Sequence, residues 1–389
     1  MKMNSILILG RQPALGFAEL EALYGQSSIT PLNNNVAELN VPHHKIDFSR
    51  LGGSIKLTQK ITTIPKIDIK NYLLNHFTLP SELGNKFSFG ISLYGDFLSS
   101  KDLNNLSINL KNHWQKVGHK VRYVPNINRQ LNSAQIWHNQ LLGNKGLELV
   151  LVENQDNLLV AITQNEQDIF AYARRDQKRP FRDAKVGMLP PKLAQMIINL
   201  ASSGSDPARS LVIDPFCGTG VILQEALLMG FGVYGSDIDE RMVDYSKQNI
   251  DWLAKLKNLQ NLNCQIEQQD ATKAKWPVKP QIVACETFLG EPYFKLPPRD
   301  VLQKNIIKTD SIAKAFLLNI APQLSSGTRL CLALPAWYEK NHFLHLPTLD
   351  HLRDLGYNRL AYKFASKSEL IYYRPNQIVG RELVTLVKE

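Results

Sequence analysis

An apolar run that stops on an acidic residue and turns at once through paired glycines leaves a chain few folds to choose from. Here Leu211-Val212-Ile213-Asp214-Pro215-Phe216-Cys217-Gly218-Thr219-Gly220 leads into a helical run over residues 221–229. A buried strand, a tight turn and an amphipathic helix make the first half of a βαβ unit. Glycine at 218 and 220 lets the backbone pass close to a ligand where a Cβ would collide. Past Gly230 a second strand, residues 232–235, ends at Ser236-Asp237. Asp239 then caps a helix that carries Met242, Val243, Tyr245, Ser246, Asn249 and Trp252 at helical spacing. A carboxylate at that strand end is suited to accept hydrogen bonds from both ribose hydroxyls of an adenosine.

Two cofactor classes use such a turn. A dinucleotide fingerprint GxGxxG requires glycine at 223, where this chain has Leu223. Asp214 would also set a carboxylate against a pyrophosphate, whereas the ammonium of a methionine moiety is attracted to it. The residues therefore favour S-adenosylmethionine, with Asp214, Phe216, Cys217, Gly218, Thr219, Gly220, Asp237 and Ile238 as the expected contacts. A third strand, residues 264–267, precedes Asp270-Ala271. Asp270 either meets the adenine amino group or merely closes a turn.

The chain has 389 residues, enough for two or three domains, and its hydrophobic and charged contents are those of a globular protein. No apolar run approaches the ~20 residues of a membrane-spanning helix. The start, Met1-Lys2-Met3-Asn4-Ser5, has no secretory pattern, so the cytoplasm is the expected compartment. Cys217, Cys264, Cys285 and Cys331 form no CxxC pair and suggest neither a zinc cluster nor disulfides. A formal net charge of +10 favours a polyanionic partner.

Ahead of the glycine turn the pattern is α+β. A strand over residues 6–9, a helix over 15–24, a strand near 36–41 and a helical stretch across 56–62 form a first group. After a looser stretch at 65–80 come a strand (87–94), a helix (101–117), a strand (120–124), a helix (133–142) and two strands (147–152, 158–163), too few parallel units for a cofactor fold. Between Tyr172 and Lys192 stand seven basic and two acidic residues, interleaved with Pro180, Phe181, Pro190 and Pro191. Arg174, Arg175, Lys178, Arg179 and Arg182 there are candidates for phosphate contacts.

At these residues the chain resembles the THUMP-domain tRNA guanosine methyltransferases. The likeness is carried by Arg175-Asp176, Arg179-Pro180, Arg182-Asp183-Ala184, Val186-Gly187-Met188-Leu189-Pro190-Pro191-Lys192-Leu193-Ala194-Gln195, Asp214 to Gly220, and Tyr234-Gly235-Ser236-Asp237-Ile238. It runs from about Phe87 onward, and the stretch from Gly10-Arg11-Gln12-Pro13 to Glu19-Leu20-Glu21 resembles the family's N-terminal ferredoxin-like domain. The resemblance implies an α/β architecture: a ferredoxin-like domain at 1–75, an RNA-binding THUMP domain at 76–172, a linker at 173–192 and a Rossmann-like class I methyltransferase domain at 193–389. It further implies a tRNA substrate and a cofactor contact at Pro190.

The family's catalytic signature, Asp or Asn followed by Pro-Pro and an aromatic, is altered here. The fourth strand, residues 281–285, is followed by Glu286-Thr287-Phe288-Leu289-Gly290, and Glu291-Pro292-Tyr293 offers a shifted register. Glu286 or Glu291 is the expected acceptor for a base amine, with Phe288 or Tyr293 stacking the base. Two readings follow: methylation of a guanosine amine in tRNA, or a turnover-free RNA-binding scaffold on the same fold. A DNA substrate is a third. The remaining pattern, a helix (301–318), a strand (329–334), a helix near 349–355 and a hairpin of 370–373 with 378–385 around Arg374-Pro375-Asn376-Gln377, closes a methyltransferase sheet. His342, His345 and His351 lack a zinc spacing, so no metal is expected.

Overall fold

The computed structural model describes residues 4–126, 128–183, 188–293, 295–375 and 377–389. Met1 to Met3, Ala184, Val186, Gly187 and Asn376, all named above, lie outside the described residues. The chain divides into two compact units. One holds residues up to Pro13, Tyr24–Ser49 and Ser54–Phe170; the other holds Ala14–Leu23, Arg50–Gly53 and Ala171–Glu389.

In the first unit the chain runs β1 (Ser5–Leu9), then, past helix α1 (Pro13–Tyr24), of which Ala14–Leu23 belong to the second unit, β2 (Ile29–Asn33), β3 (Val36–Leu39), β4 (Ser54–Pro65), α2 (Ile69–Asn75), β5 (Lys86–Tyr94), α3 (Ser100–Lys116), β6 (Lys120–Tyr123), α4 (Ser133–His138), β7 (Gly146–Asn154) and β8 (Asn157–Glu166). Among the described residues these strands form one sheet in the order β2-β3-β1-β4-β8-β7-β5-β6. Strands from before and after residue 75 are thus continuous, joined where β4 pairs antiparallel with β8. The order of elements from β5 to β8 is the one expected from the sequence.

Residues 56–62, expected as helix, lie inside the strand β4. Polar positions hid its strand character. Lys56 is buried, and its ammonium lies 2.5 Å from Glu148 Oε1 and 2.8 Å from the Leu131 carbonyl, so a charged residue occupies an interior strand position. The β-branched residues Ile55, Thr58, Ile61, Thr62, Thr63 and Ile64 supply the extended preference.

The second unit adds α5 (Ile169–Gln177), whose first two residues belong to the first unit, then α6 (Pro191–Ala201), β9 (Leu211–Asp214), α7 (Val221–Leu228), β10 (Gly232–Asp237), α8 (Glu240–Lys257), β11 (Cys264–Gln268), β12 (Ile282–Glu286), α9 (Arg299–Ile320), β13 (Arg329–Glu339), β14 (His342–Leu344), β15 (Tyr357–Arg359), β16 (Ile371–Tyr372) and β17 (Val379–Lys388). Its sheet has the order β11-β10-β9-β12-β13-β17-β15, with β14 on β13 and β16 on β17. The strands from β11 to β13 are parallel, and β17 runs antiparallel to both β13 and β15. This is a Rossmann-like sheet closed by antiparallel strands, as expected for residues 193–389. The expected closing pair is β16 with β17, where Tyr372 stands opposite Arg381. Residues 349–355, expected as a helix, form two short 3-10 turns.

Alternation along each strand feeds two cores. Val212, Ile282 and Ala284 pack with α6, α7, α8 and Leu15, Ala18 and Ala22 of α1. Ile213, Val283 and Cys285 pack with Phe316, Leu317 and Ile320 of α9. Helix α6 is buried at every position but Lys192, including Gln195 and Asn199 of its polar stripe, with Pro191 at its first position where no amide partner is needed. Helix α8 is capped by Asp239, which accepts the Arg241 N–H at 2.9 Å, and ends on Asn258 in the left-handed region.

Candidate functional site

After β9 the chain turns to β10 and β11 on one side and then crosses to β12 and β13 on the other. The switch lies between β9 and β12, and the carboxyl ends of strands at such a switch leave a crevice for ligands. Asp214, Asp237 and Glu286 end β9, β10 and β12.

The glycine turn is held from several directions. Gly218 and Gly220 have φ of +51° and +80°, which side chains rarely adopt. A Cβ on Gly220 would lie 2.6 Å from Ser246 Oγ, so α8 packs directly on the turn; a Cβ on Gly218 would meet open space. Cys217 donates its N–H to the Ser236 carbonyl at 2.9 Å, and its thiol is buried and pushed well up by desolvation. Phe216 packs edge-on against Phe316, with ring centroids 5.2 Å apart, so its ring serves the α9 core. The Thr219 carbonyl accepts from Asn249 Nδ2 at 2.9 Å.

Asp237 ties the two strand ends together. Oδ2 accepts the Gly218 N–H at 2.9 Å and Oδ1 the Asp239 N–H at 3.0 Å. Burial nevertheless raises its pKa, because the desolvation outweighs those bonds. Ile238 beside it is 67% exposed, an apolar side chain facing water next to a carboxylate. Asp214 is buried and pushed well up, first by desolvation and further by the charges of Asp237 and Glu286. An acidic cluster of this kind, beside a turn with room at Gly218, fits a ligand that brings positive charge and ribose hydroxyls. The Asp270 carboxylate is engaged within its own turn: Oδ1 accepts from Thr272 N and Oγ1 at 2.9 and 2.6 Å, and Lys273 lies 3.5 Å from Oδ2. Ala271 is buried and its carbonyl accepts from Asn319 Nδ2 at 3.0 Å.

The altered loop separates its candidates. Glu286 is mostly buried and forms an ion pair with Arg381 of β17, a residue that sequence reasoning missed. The Arg381-Glu382 pair in the buried stretch of β17 was the available signal, since a charge in a buried strand needs a partner, and Glu382 finds its own in Arg359 and His345. Glu291 points elsewhere: it is exposed, and its carboxylate lies 3.5 Å from Lys308. Phe288 is half-buried with the Lys308 ammonium 5.0 Å from its ring centroid, and Tyr293 is half-buried against the α9 core. Gly290, at φ +85°, approaches Asn305 so closely that a Cβ would lie 2.5 Å from its amide.

The basic segment is also split. Arg174, Lys178 and Arg182 are exposed. Arg175 is buried, with Nε and Nη2 at 2.6 and 3.2 Å from the two carboxylate oxygens of Glu225 on α7, and its guanidinium is committed there. Arg179 is also buried, which disfavours its charged form. Phe181 stacks on Tyr245 at 4.6 Å, its N–H donates to Asn249 Oδ1 at 3.0 Å, and Asp183 lies 3.3 Å from Arg241. This part of the stretch read as a linker is fastened to α8, and through Asn249 to the glycine turn. Pro190 is half-buried and its carbonyl accepts from the amides of Leu193 and Ala194, starting α6. His345 bonds Glu382 at 2.5 Å, and the described residues contain no group of three or more metal-binding side chains.

Residues 99–248 match a family model described as a DNA methylase. The chain is 31% identical over 176 residues to the tRNA (guanine(10)-N2)-dimethyltransferase of Methanothermobacter thermautotrophicus, an alignment covering 45% of this chain and 44% of that protein. It thus spans less than half the length of that relative. Among solved structures it resembles TrmN from Thermus thermophilus, with a TM-score of 0.54 and 16% identity over the whole of both chains. It also resembles SMU.472, solved in complex with SAH, with a TM-score of 0.50 and 13% identity, covering all of this chain and 99% of that one.

Proposed function

We propose that this protein is an S-adenosylmethionine-dependent methyltransferase acting on the exocyclic amine of a guanosine in tRNA. The observation that carries this reading is the convergence of Asp214, Asp237 and Glu286 on the carboxyl ends of three neighbouring strands around the turn at Gly218. The name of the Methanothermobacter relative and the SAH in the SMU.472 structure support it.

Asp237 would hold the ribose, Ile238 would lie against the adenine, and Asp214 would face the ammonium of the methionine moiety. Asp270 and Ala271 would shape the adenine end through their backbone, and Pro190 would border the methionine end. When bound, S-adenosylmethionine supplies a methyl group activated by a sulfonium. What remains for the protein is to place and prepare the amine. A guanine amine is a weak nucleophile because its lone pair is delocalised into the ring, so an acceptor for its N–H groups is needed. Glu286 provides this. A carboxylate suits guanine, whose N1–H and N2–H donors lie side by side, and is repelled by adenine, where an acceptor nitrogen adjoins the amine. This difference favours guanosine over an adenine target in DNA. Phe288 and Tyr293 would stack the base. Glu291, turned toward Lys308, serves the loop's outer face.

Residues 76–172 would act as the THUMP module, with Arg174, Lys178 and Arg182 adding phosphate contacts. The test is incubation of the full chain with methyl-labelled S-adenosylmethionine and tRNA from cells lacking the protein, followed by nucleoside mass spectrometry. N2-methylated guanosine is the expected product. An unlabelled tRNA pool at saturating cofactor overturns the reading in favour of the scaffold.

A further inference from the structure

The altered loop begins on an ion pair. Glu286 ends β12, and Arg381 reaches it from β17 across the intervening β13; their side chains are 14% and 8% exposed. Register fixes this reach, since Glu286 stands opposite Ala333 and Arg381 opposite Pro335 on the same strand β13. Arg381 Nε donates to Glu286 Oε1, and no described residue hydrogen-bonds Oε2. Asp214 on β9 interacts electrostatically with both Glu286 and Asp237.

We infer that Arg381 is a positioning residue that fixes Glu286 through Oε1, reserving Oε2 as the acceptor for the adjacent N–H donors of a guanine. The geometry supports this over a purely structural ion pair, because a structural pair gains most when every acceptor is satisfied. The inference rests on the methyltransferase reading above.

The test uses the full chain in single-turnover methyl transfer near neutral pH. Arg381→Met should lower the rate at least about tenfold, with cofactor and tRNA affinity within about twofold of the parent. Arg381→Lys should return most of that loss, and so should guanidinium ion added to Arg381→Met. Should Arg381→Met fail to fold, Arg381→Lys and the charge-neutral double variant Glu286→Gln/Arg381→Met carry the test, the first transferring at a near-parental rate and the second at least about tenfold more slowly. Transfer at the parental rate in a folded Arg381→Met, or a loss that neither Arg381→Lys nor guanidinium ion returns, overturns the inference. Parental protein that transfers no methyl group overturns the functional reading instead, and with it any role in holding a base.

Discussion

Asp237 does two jobs whose energies can be separated. Its oxygens fasten the turn at Gly218 and the start of α8, each bond contributing a net ~1 kcal/mol to folding. The same carboxylate is the acceptor proposed for the ribose. Asp237→Ala should weaken S-adenosylmethionine binding at least about tenfold, or ~1.4 kcal/mol, as read by titration calorimetry. Equal affinity in a variant that melts normally would remove Asp237 from the site. Asp214 differs in kind. It is pushed up by burial and by two neighbouring carboxylates, so a nearby positive charge is what would stabilise its ionised form. Asp270 uses its side chain within its own turn, on Thr272 and Lys273, so a contribution to the adenine end falls to its backbone.

At the scale of elements, what was legible followed from periodicity. The glycine turn with β9 and β12 could be read because these strands are short apolar runs bounded by turn residues, while the polar β11 was legible only from its place after α8. β4 could not, because Lys56 and Thr58 sit buried in it and break the alternation that marks a strand. Nor could the link from β12 to β17 through Glu286 and Arg381, since 95 positions separate the partners. Helix α1 was read correctly as a helix, but its allegiance was invisible. It joins the second unit, where Glu19 accepts N–H bonds from Gly52 at 2.9 Å, Gly53 at 2.8 Å and Asn199 Nδ2 at 2.7 Å. Burial raises the Glu19 pKa from 4.5 to about 7, opposed by those bonds and by Arg50. A carboxyl raised on folding contributes stability that is whole below its unfolded value and declines as pH rises toward its folded one. Between about pH 4.5 and 7 the parental protein should therefore lose stability relative to Glu19→Gln, by roughly 3 kcal/mol across the window. Denaturant melts of both proteins at several pH values check this, and parallel curves would refute it.

For the whole molecule the relevant quantity is charge. A formal net charge of +10 concentrates polyanions near the surface, and the exposed Arg174, Lys178 and Arg182 offer a local place for phosphates. Binding of tRNA across a salt series should fall steeply. Replacing these three by glutamine should flatten the logarithmic slope by about 0.7–0.9 for each phosphate no longer neutralised. Unchanged slopes would move the RNA grip elsewhere. The membership of α1 in the second unit bears on how the protein is made. Glu19 bonds to Asn199, and Glu21 accepts the backbone N–H of Lys363, 342 positions later. During synthesis at ~5–20 residues per second, α1 waits many seconds for the surface that covers it. Leu15, Ala18 and Ala22 stay uncovered meanwhile, so the interval between the emergence of α1 and that of its partners is when the nascent chain most needs a chaperone.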